Sequence, residues 1–406
     1  MKPALRPLED ALAQLLTQAQ PLPGTQTVST FDGDGRVLAR DLVSPLQVPP
    51  QDNSSMDGYA VRVAEIPDEG VRLAVSQRIP AGSPAQALQP GTAARIFTGA
   101  PVPEGADAIV MQEDTQADDD GHVTVLRVPA KGEWIRCSGE DVRKGATVLC
   151  AGERLTAASL GLAASIGCDQ LEVARRPRVA LFSTGDELVM PGEVAPEAMK
   201  PGAIYNSNRY FLRALLLRLG CEVSDMGIVP DRRDATVDAL AMAAQSHDVI
   251  LTSGGVSVGE EDHVKPAVQS LGSLDLWQIA MKPGKPFAHG RVNDAHFIGL
   301  PGNPVSSFVT FVLLVRPFLL RLQGCARVAP RPIQLPAHFT LPRADKRREF
   351  LRARRDGDGG LELFPNQSSG VLTSAVWADG LVDNPPGRTI ARGDKVSFIP
   401  LAELVG

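Results

Sequence analysis

The residues of this chain best placed to do chemistry sit in four glycine-rich turns, each following a short apolar run. They are Ser183-Thr184-Gly185-Asp186-Glu187-Leu188, Ser253-Gly254-Gly255-Val256-Ser257-Val258-Gly259, Lys282-Pro283-Gly284-Lys285-Pro286 and Leu300-Pro301-Gly302-Asn303-Pro304. Glycine lets backbone approach an anion closely, and successive N–H groups form a concave anion nest. In the second turn Gly254 and Gly255 supply backbone donors and Ser253 and Ser257 supply hydroxyls, a set suited to a phosphate or pyrophosphate. Glu260, Glu261 and Asp262 follow directly. A carboxylate beside a phosphate loop is repulsive unless a cation lies between them, so Asp262 is a candidate magnesium ligand; the three acids would equally cap a following helix. Asp186 and Glu187 repeat that logic at the first turn. In the third, prolines stiffen the loop and hold Lys282 and Lys285 at set positions, a pair suited to phosphate or to an oxyanion such as molybdate or sulfate. Pro301, Gly302 and Asn303 open a long helix whose N-terminus would be a further anion site, although Pro304 in the first turn is also sufficient as a helix start. The combined chemistry is that of an enzyme on a phosphorylated or nucleotide-linked substrate.

The elements that must position these turns alternate. Strands are expected at Val179–Ser183, Glu222–Val229, Val249–Thr252, Leu276–Met281 and His296–Leu300, and helices at Asn208–Leu219, Ala235–Ser246, after Asp262, and at Val305–Leu322. That pattern implies a mostly parallel sheet covered on both faces, with ligands at its strand ends. Before about residue 175 the chain is β-rich, with a hairpin tip at Asp118–Gly121 and polar loops at Asp52–Val61, Phe97–Pro103 and Gly139-Glu140-Asp141. An amphipathic helix is expected within Met1–Gln20, with Leu8, Leu12, Leu15 and Leu16 on one side. A second is expected over Thr156–Ile166 with Thr156 as N-cap. The two are expected to pack together, so that the segments flanking the β-rich region share a domain. Residues beyond about 326 return to short strands. Their basic cluster, Arg343, Lys346, Arg347, Arg348, Arg352, Arg354 and Arg355, reads as a solvated strand edge.

With 406 residues, two to four domains are expected. Apolar content of 43% and charged content of 22% are those of a globular protein, and a net charge of −6 argues against general nucleic-acid binding. The five cysteines are scattered and form no C-x-x-C pair, so neither a zinc site nor a disulfide framework is expected. The N-terminus lacks a signal-peptide core. The longest apolar run, Phe308–Leu320, is interrupted by Arg316 and Pro317 and reads as too short for a membrane span, leaving a cytoplasmic protein as the expectation. No Ser-His-Asp, Cys-His or H-E-x-x-H arrangement stands out, and His247, His263, His289 and His296 read as isolated structural residues.

Taken in order, Asn53–Ala60, Phe97–Pro101, Gly139–Asp141 and the four turns resemble the signatures of the molybdopterin molybdenumtransferase family, from about residue 5 to the C-terminus. The resemblance implies a multidomain α/β and β protein in four parts. These are a discontinuous, helix-containing linking domain (1–45 plus 139–174), a β-rich domain (46–138), a molybdopterin-binding three-layer α/β/α domain (175–326) and a C-terminal β-barrel-like domain (327–406). It implies a homodimer whose cleft lies between the α/β domain of one subunit and the first-half loops of the other. The implied reaction takes adenylylated molybdopterin and molybdate, with Mg2+, to molybdenum cofactor and AMP. The implied partners are the adenylyltransferase of the preceding step and acceptor molybdoenzymes or their chaperones, with no nucleic acid and no membrane. By resemblance Asp57, Thr98, Asp141, Glu187, Asp231 and Asp262 are the functional polar residues, with Glu187 and Asp262 toward the metal. Ser253, Gly254, Gly255, Ser257, Pro301, Gly302 and Asn303 would hold the substrate, with Lys282 and Lys285 on molybdate or phosphate. The family's C-terminal Arg and Ser are matched loosely by Arg347 or Arg352 and by Ser369, and its late Asn-Gly by Asp379-Gly380. The competing readings are the adenylyltransferase itself, which would need neither the β-rich first half nor the C-terminal domain, and a non-catalytic pterin-binding carrier, scaffold or regulator.

Overall fold

In the α/β domain six strands form one sheet: β1 (Arg178–Thr184), β2 (Glu222–Val229), β3 (Val249–Ser253), β4 (Gly272–Gln278), β5 (Pro286–Val292) and β6 (Ala295–Leu300). The computed structural model describes residues 5–230, 232–255 and 263–405. The order is β2-β1-β3-β6-β5-β4, parallel from β2 to β6 and antiparallel beyond. Successive side chains of each inner strand face opposite layers. Val179, Leu181, Val249, Leu251 and Ile298 join one apolar core with Leu212 and Leu216 of the helix Ser207–Arg218 (α1). Ala180, Phe182, Ile250 and Phe297 join the other with Leu240 of α2 (Arg233–Ala244) and Ala267 of α3 (Val264–Leu271). The result is the expected three-layer arrangement. Two strands differ from expectation. β5 was hidden because Pro286 and Gly290 break the strand-like composition, and β4 begins earlier and ends before Ile279.

The apolar run after Asn303 forms one helix, α4 (Pro304–Leu322), that continues through Arg316 and Pro317. A proline inside a helix removes one donor and crowds the preceding turn; a wide π turn at Phe311–Val315 accommodates it. By length and composition α4 could cross a membrane, but 83% of it is buried, and it is the core helix of this domain.

The N-terminal helix Leu8–Gln18 does not pack with the Thr156-capped helix. Its buried stripe, Leu8, Ala11 and Leu15, joins the α/β core alongside Phe318 and Leu322. The Ala157–Ser165 helix, capped by a Thr156–Ser159 box, packs instead with Leu38, Leu149, Leu155 and Leu171. The segments flanking the β-rich region do pair: Thr25–Ser29 with Gln170–Ala174, and Leu42–Val43 with Thr147–Leu149. Between them six strands form the β-rich sheet, with the Asp118–Gly121 turn joining Thr115–Ala117 to His122–Val125.

The basic cluster is a solvated edge only in part: Arg343, Lys346, Arg354 and Arg355 are exposed, Arg347 and Arg348 are half-buried, and Arg352 is buried. Arg348–Arg355 is an interior strand of the C-terminal sheet, flanked by Gly380–Asn384 and by Met281–Lys282 and Leu361–Leu363. Arg352 is 1% exposed, its guanidinium donating to Ser374 Oγ and the Phe350 carbonyl, and Arg348 is paired with Asp383. His289 and His296 are not isolated: their rings stack 5.9 Å apart against Phe318, and burial pushes them down to about 4 and about 3.

Candidate functional site

The parallel strands β1, β2, β3 and β6 end at one edge of the sheet, with Ser183 opposite Ser253, Ser253 opposite Leu300 and Thr184 opposite Val229. The chain leaves β1 to β2 on one side and returns to β3 on the other. The crevice between β1 and β3 is therefore the point where strand order reverses, where open α/β sheets bind ligands. A cavity of about 570 Å³ opens there, lined by Thr184, Glu187, Asn206, Asn208, Ser253, Gly254, Gly302 and Asn303, with Gly370 from the C-terminal domain. Three of the four sequence-predicted turns thus converge on one cavity.

Gly254 and Gly255 have φ of +93° and +66°, in the left-handed region. A Cβ on Gly254 would lie 2.7 Å from the Thr184 carbonyl, and one on Gly255 would lie 2.5 Å from Val264 Cγ2. Only glycine lets this loop pass so close to the end of β1. Asn208 was missed by sequence reasoning. Its Nδ2 donates to Ser253 Oγ (2.8 Å) and to the Gly302 carbonyl (2.7 Å), tying two of the turns together. The signal was present as Asn206-Ser207-Asn208: Asn206 alone caps α1, accepting from the Arg209 N–H, so a second asparagine in that turn had other work.

Several buried polar atoms at this edge have no partner among the described residues: Ser183 Oγ, Thr184 Oγ1, Thr252 Oγ1, Asn206 Nδ2 and Asn208 Oδ1. Each costs about 1–3 kcal/mol unless something completes it. Their clustering is what a polar ligand site looks like before the ligand.

The Lys282–Lys285 turn packs on α4 and does not line this cavity. A Cβ on Gly284 would lie 2.4 Å from Thr310 Oγ1 and 3.4 Å from the Ser306 carbonyl. The C-terminal domain fixes Lys282: its Nζ donates to Glu349 Oε1 at 3.0 Å and lies 3.5 Å from Asp345 Oδ2. Hydrogen bonds from the Arg347 side chain, then its N–H and the Lys282 charge, hold Asp345 well below the usual carboxylate range against partial burial. Arg347 therefore belongs to the lysine's network, whereas Arg352 is spent inside the domain. Lys285 is exposed. The Ser369 carbonyl accepts from Val305 N–H, so one of the helix-start donors expected to meet an anion is already taken. Pro301 is buried behind the turn.

The first-half residues lie elsewhere. Asp57 Oδ1 accepts from the Thr98 N–H and hydroxyl, both at 2.8 Å, and these two bonds hold the exposed carboxylate below its ordinary value. Asp141 is exposed, its N–H bonded to the Val48 carbonyl. None of the three lines the cavity of its own chain. Asp231, Ser257 and Asp262 lie outside the described residues. Among the described residues no three His, Cys, Asp or Glu side chains gather as a metal cluster, and Glu187 is the carboxylate that lines the cavity.

Residues 6–167 match the MoeA N-terminal region (domain I and II), 180–321 a probable molybdopterin binding domain, and 334–401 the MoeA C-terminal region (domain IV). The chain is 38% identical to a molybdopterin molybdenumtransferase of Haemophilus influenzae, over 98% of this chain and 99% of that one. It is 36% identical to one of Nostoc sp., over 98% and 94%. Its structure is similar to that of the molybdopterin biosynthesis MoeA protein of Pyrococcus horikoshii OT3, with a TM-score of 0.83, 27% identity and coverage of 98% and 100%.

Proposed function

The chain belongs to the molybdopterin molybdenumtransferase family and acts in the final step of molybdenum cofactor biosynthesis, and from that premise we propose how its site divides the work. The cavity between β1 and β3 takes the phosphates of adenylylated molybdopterin, with Ser253, Gly255 and Ser257 as donors and Asn208 holding the turns in register; the Gly254 N–H is given to the Leu300 carbonyl, and Gly254 serves by letting the loop pass close. Gly302 and Asn303 form its opposite wall, with Pro301 buried behind them. Lys282 and Lys285 hold molybdate, with Arg347 and Ser369 shaping that side. The observation that carries this reading is the set of unpartnered buried donors and acceptors where the three turns meet.

Magnesium fits this donor set in one respect: it is held through one or two carboxylates plus substrate phosphates, and Glu187 is available in the cavity, with Asp262 the second candidate. When bound, it would neutralise charge on the pyrophosphate. The chain's own residues bind and orient the two substrates, so that water cleaves the pyrophosphate to AMP and the molybdopterin phosphate while molybdate meets the dithiolene. Asp231 is a further candidate polar residue for the same reaction.

Because Asp57, Thr98 and Asp141 lie outside this cavity, we propose that they meet it from the second subunit of a homodimer. We place the protein in the cytoplasm, receiving substrate from the adenylyltransferase and passing product to acceptor enzymes or their chaperones. The test is AMP release from adenylylated molybdopterin with Mg2+, with and without molybdate. Molybdate should stimulate release. Asp57→Asn and Glu187→Gln should each be inactive, and unfolding and refolding them together should restore about a quarter of wild-type activity. Random pairing gives about half heterodimers, each with one intact site. No recovery on mixing would overturn the shared site, and nucleotide binding without release would overturn the transferase assignment of these residues.

A further inference from the structure

A second cavity, of about 630 Å³, lies where the linking domain, α4 and the C-terminal domain meet. Gly152, Arg154 and Thr156 come from the first, Arg316 and Leu320 from the second, and Arg327, Arg331 and Glu403 from the chain beyond. The seam is tight: Ala326 N–H donates to the Gly152 carbonyl at 3.0 Å, and a Cβ on Gly152 would lie 2.9 Å from the Gly324 carbonyl. No sequence motif pointed here.

Its charge is out of keeping with an acidic chain. Four guanidiniums, Arg154, Arg316, Arg327 and Arg331, share the lining with two carboxylates, Glu153 and Glu403. Both carboxylates accept from backbone instead, Glu153 from the Cys150 N–H and Glu403 from the Arg331 N–H. Among the described residues no carboxylate lies within ion-pair distance of Arg316, Arg327 or Arg331. Arg316 Nη1 donates to the Val328 carbonyl at 2.9 Å, while its Nε is buried without a partner among the described residues. Arg154 makes, among its contacts, hydrogen bonds to the carbonyls of Gly35 and Arg218. A half-buried guanidinium held near a second one is unfavourable until an anion arrives. Burial, and then the charge of Arg154, push Arg316 below its ordinary value, with the nearby Glu403 carboxylate opposing them only in part.

We propose that this seam is a second anion site, distinct from the pterin cleft, that takes a phosphate-type tetrahedral oxyanion, free or carried on a nucleotide. Arginine forks match tetrahedral oxyanions in pairs. The cavity volume falls in the range of small-molecule sites, about 300–1,000 Å³. Arg316 and the rim arginines Arg327 and Arg331 grip the anion, and because they belong to different segments its binding fastens them together.

Equilibrium dialysis of the full chain against labelled orthophosphate and against AMP, at constant ionic strength, tests this. Arg327→Ser/Arg331→Ser removes two exposed rim charges and leaves the fold in place, as its melting temperature in chloride should verify. Arg316→Met removes the inner donor. Each variant should lose one site per chain, or bind there at least about tenfold more weakly. Any anion held in the pterin cleft is common to all three proteins and cancels in the comparison. Tighter binding of AMP than of orthophosphate identifies a nucleotide ligand, and equal binding a free oxyanion. Unchanged site number and affinity in the rim variant, or no saturable binding of either probe outside the pterin cleft, would overturn the proposal.

Discussion

Two glycines of the same cavity should respond oppositely to one added methyl group. Gly254 has φ of +93° and its Cβ would sit 2.7 Å from the Thr184 carbonyl oxygen, a backbone atom that cannot rotate away. Placing alanine in the left-handed region costs roughly 1–2 kcal/mol, and forcing a methyl into a filled space about 1–3 kcal/mol more. Gly254→Ala should therefore destabilise the α/β domain by about 2–5 kcal/mol, or roughly 4–20 °C in the melting of a domain of this size. Gly302 has no positive φ, and no atom lies within 4 Å of its Cβ position. Gly302→Ala should melt within about 1 °C of wild type. It nonetheless lines the cavity, so its methyl group should weaken binding of the pterin nucleotide. Scanning fluorimetry and AMP-release kinetics on the two variants check both halves. A Gly254→Ala protein with wild-type melting would refute the close-approach argument. A Gly302→Ala protein with unchanged KM would refute the placement of substrate against that turn.

Glu349→Gln keeps the shape of the residue but weakens its hold on Lys282. With Glu349 at 3% exposure and the Lys282 side chain at 44%, solvent screens part of the interaction, which leaves about 1 kcal/mol. The molybdate KM should rise about five- to tenfold with kcat little changed; an unchanged KM would show that Glu349 does not position the lysine. A second expectation concerns acid. His289 and His296 are buried with unpartnered ring nitrogens and are held down to about 4 and about 3. As pH falls below about 6.5, the unfolded chain takes up protons that the folded one refuses, so stability drops until the folded groups titrate near 4 and 3. The loss between pH 7 and 4.5 should be about 2–3 kcal/mol per histidine. His296→Leu should reduce it in pH-dependent melting, and equal acid sensitivity in the variant would sink the assignment.

The turns were legible because their chemistry is local. Gly-Gly, Pro-Gly-Lys and Pro-Gly-Asn-Pro each restrict the backbone within a few residues, and the strand before each announces where the turn sits. Asn208 was not legible as a site residue, since a polar residue in the first turn of a helix has an ordinary capping use. Nor was the role of Glu349, which meets Lys282 across 67 positions. The stripe Leu8, Leu12, Leu15 and Leu16 announced a face that the structure buries, Leu12 and Leu16 only in part, but periodicity says nothing about what covers that face; here it is the α/β core rather than the nearer helix. Arg348–Arg355 reads as a strand edge and is an interior strand, a mismatch with a different cause. Its arginines look solvated in sequence, and the Ser374 hydroxyl with the Phe350 and Ser368 carbonyls makes burial of Arg352 tolerable.

The C-terminal domain acts on the site as more than a neighbour. Met281–Lys282 pairs as a strand with Arg348–Glu349, so the lysine turn is registered on the C-terminal sheet as well as on its own domain. The Ser369 carbonyl occupies the Val305 N–H, and Gly370 reaches the cavity wall. These contacts redistribute the anion-binding capacity read from sequence. The start of α4 loses one free donor to the C-terminal domain. In return, the same domain restrains Lys282 between Glu349 and Asp345, with Arg347 holding Asp345 in its charged form. On the proposed assignment, two carboxylates beside Lys282 lower its net attraction for an anion, so it would discriminate by position rather than by bulk charge. Exposed Lys285 supplies the less compensated charge. Displacing the C-terminal domain would release the Val305 donor and unseat the lysine together, which ties the chemistry of the cleft to the docking of a domain outside the sheet that forms it.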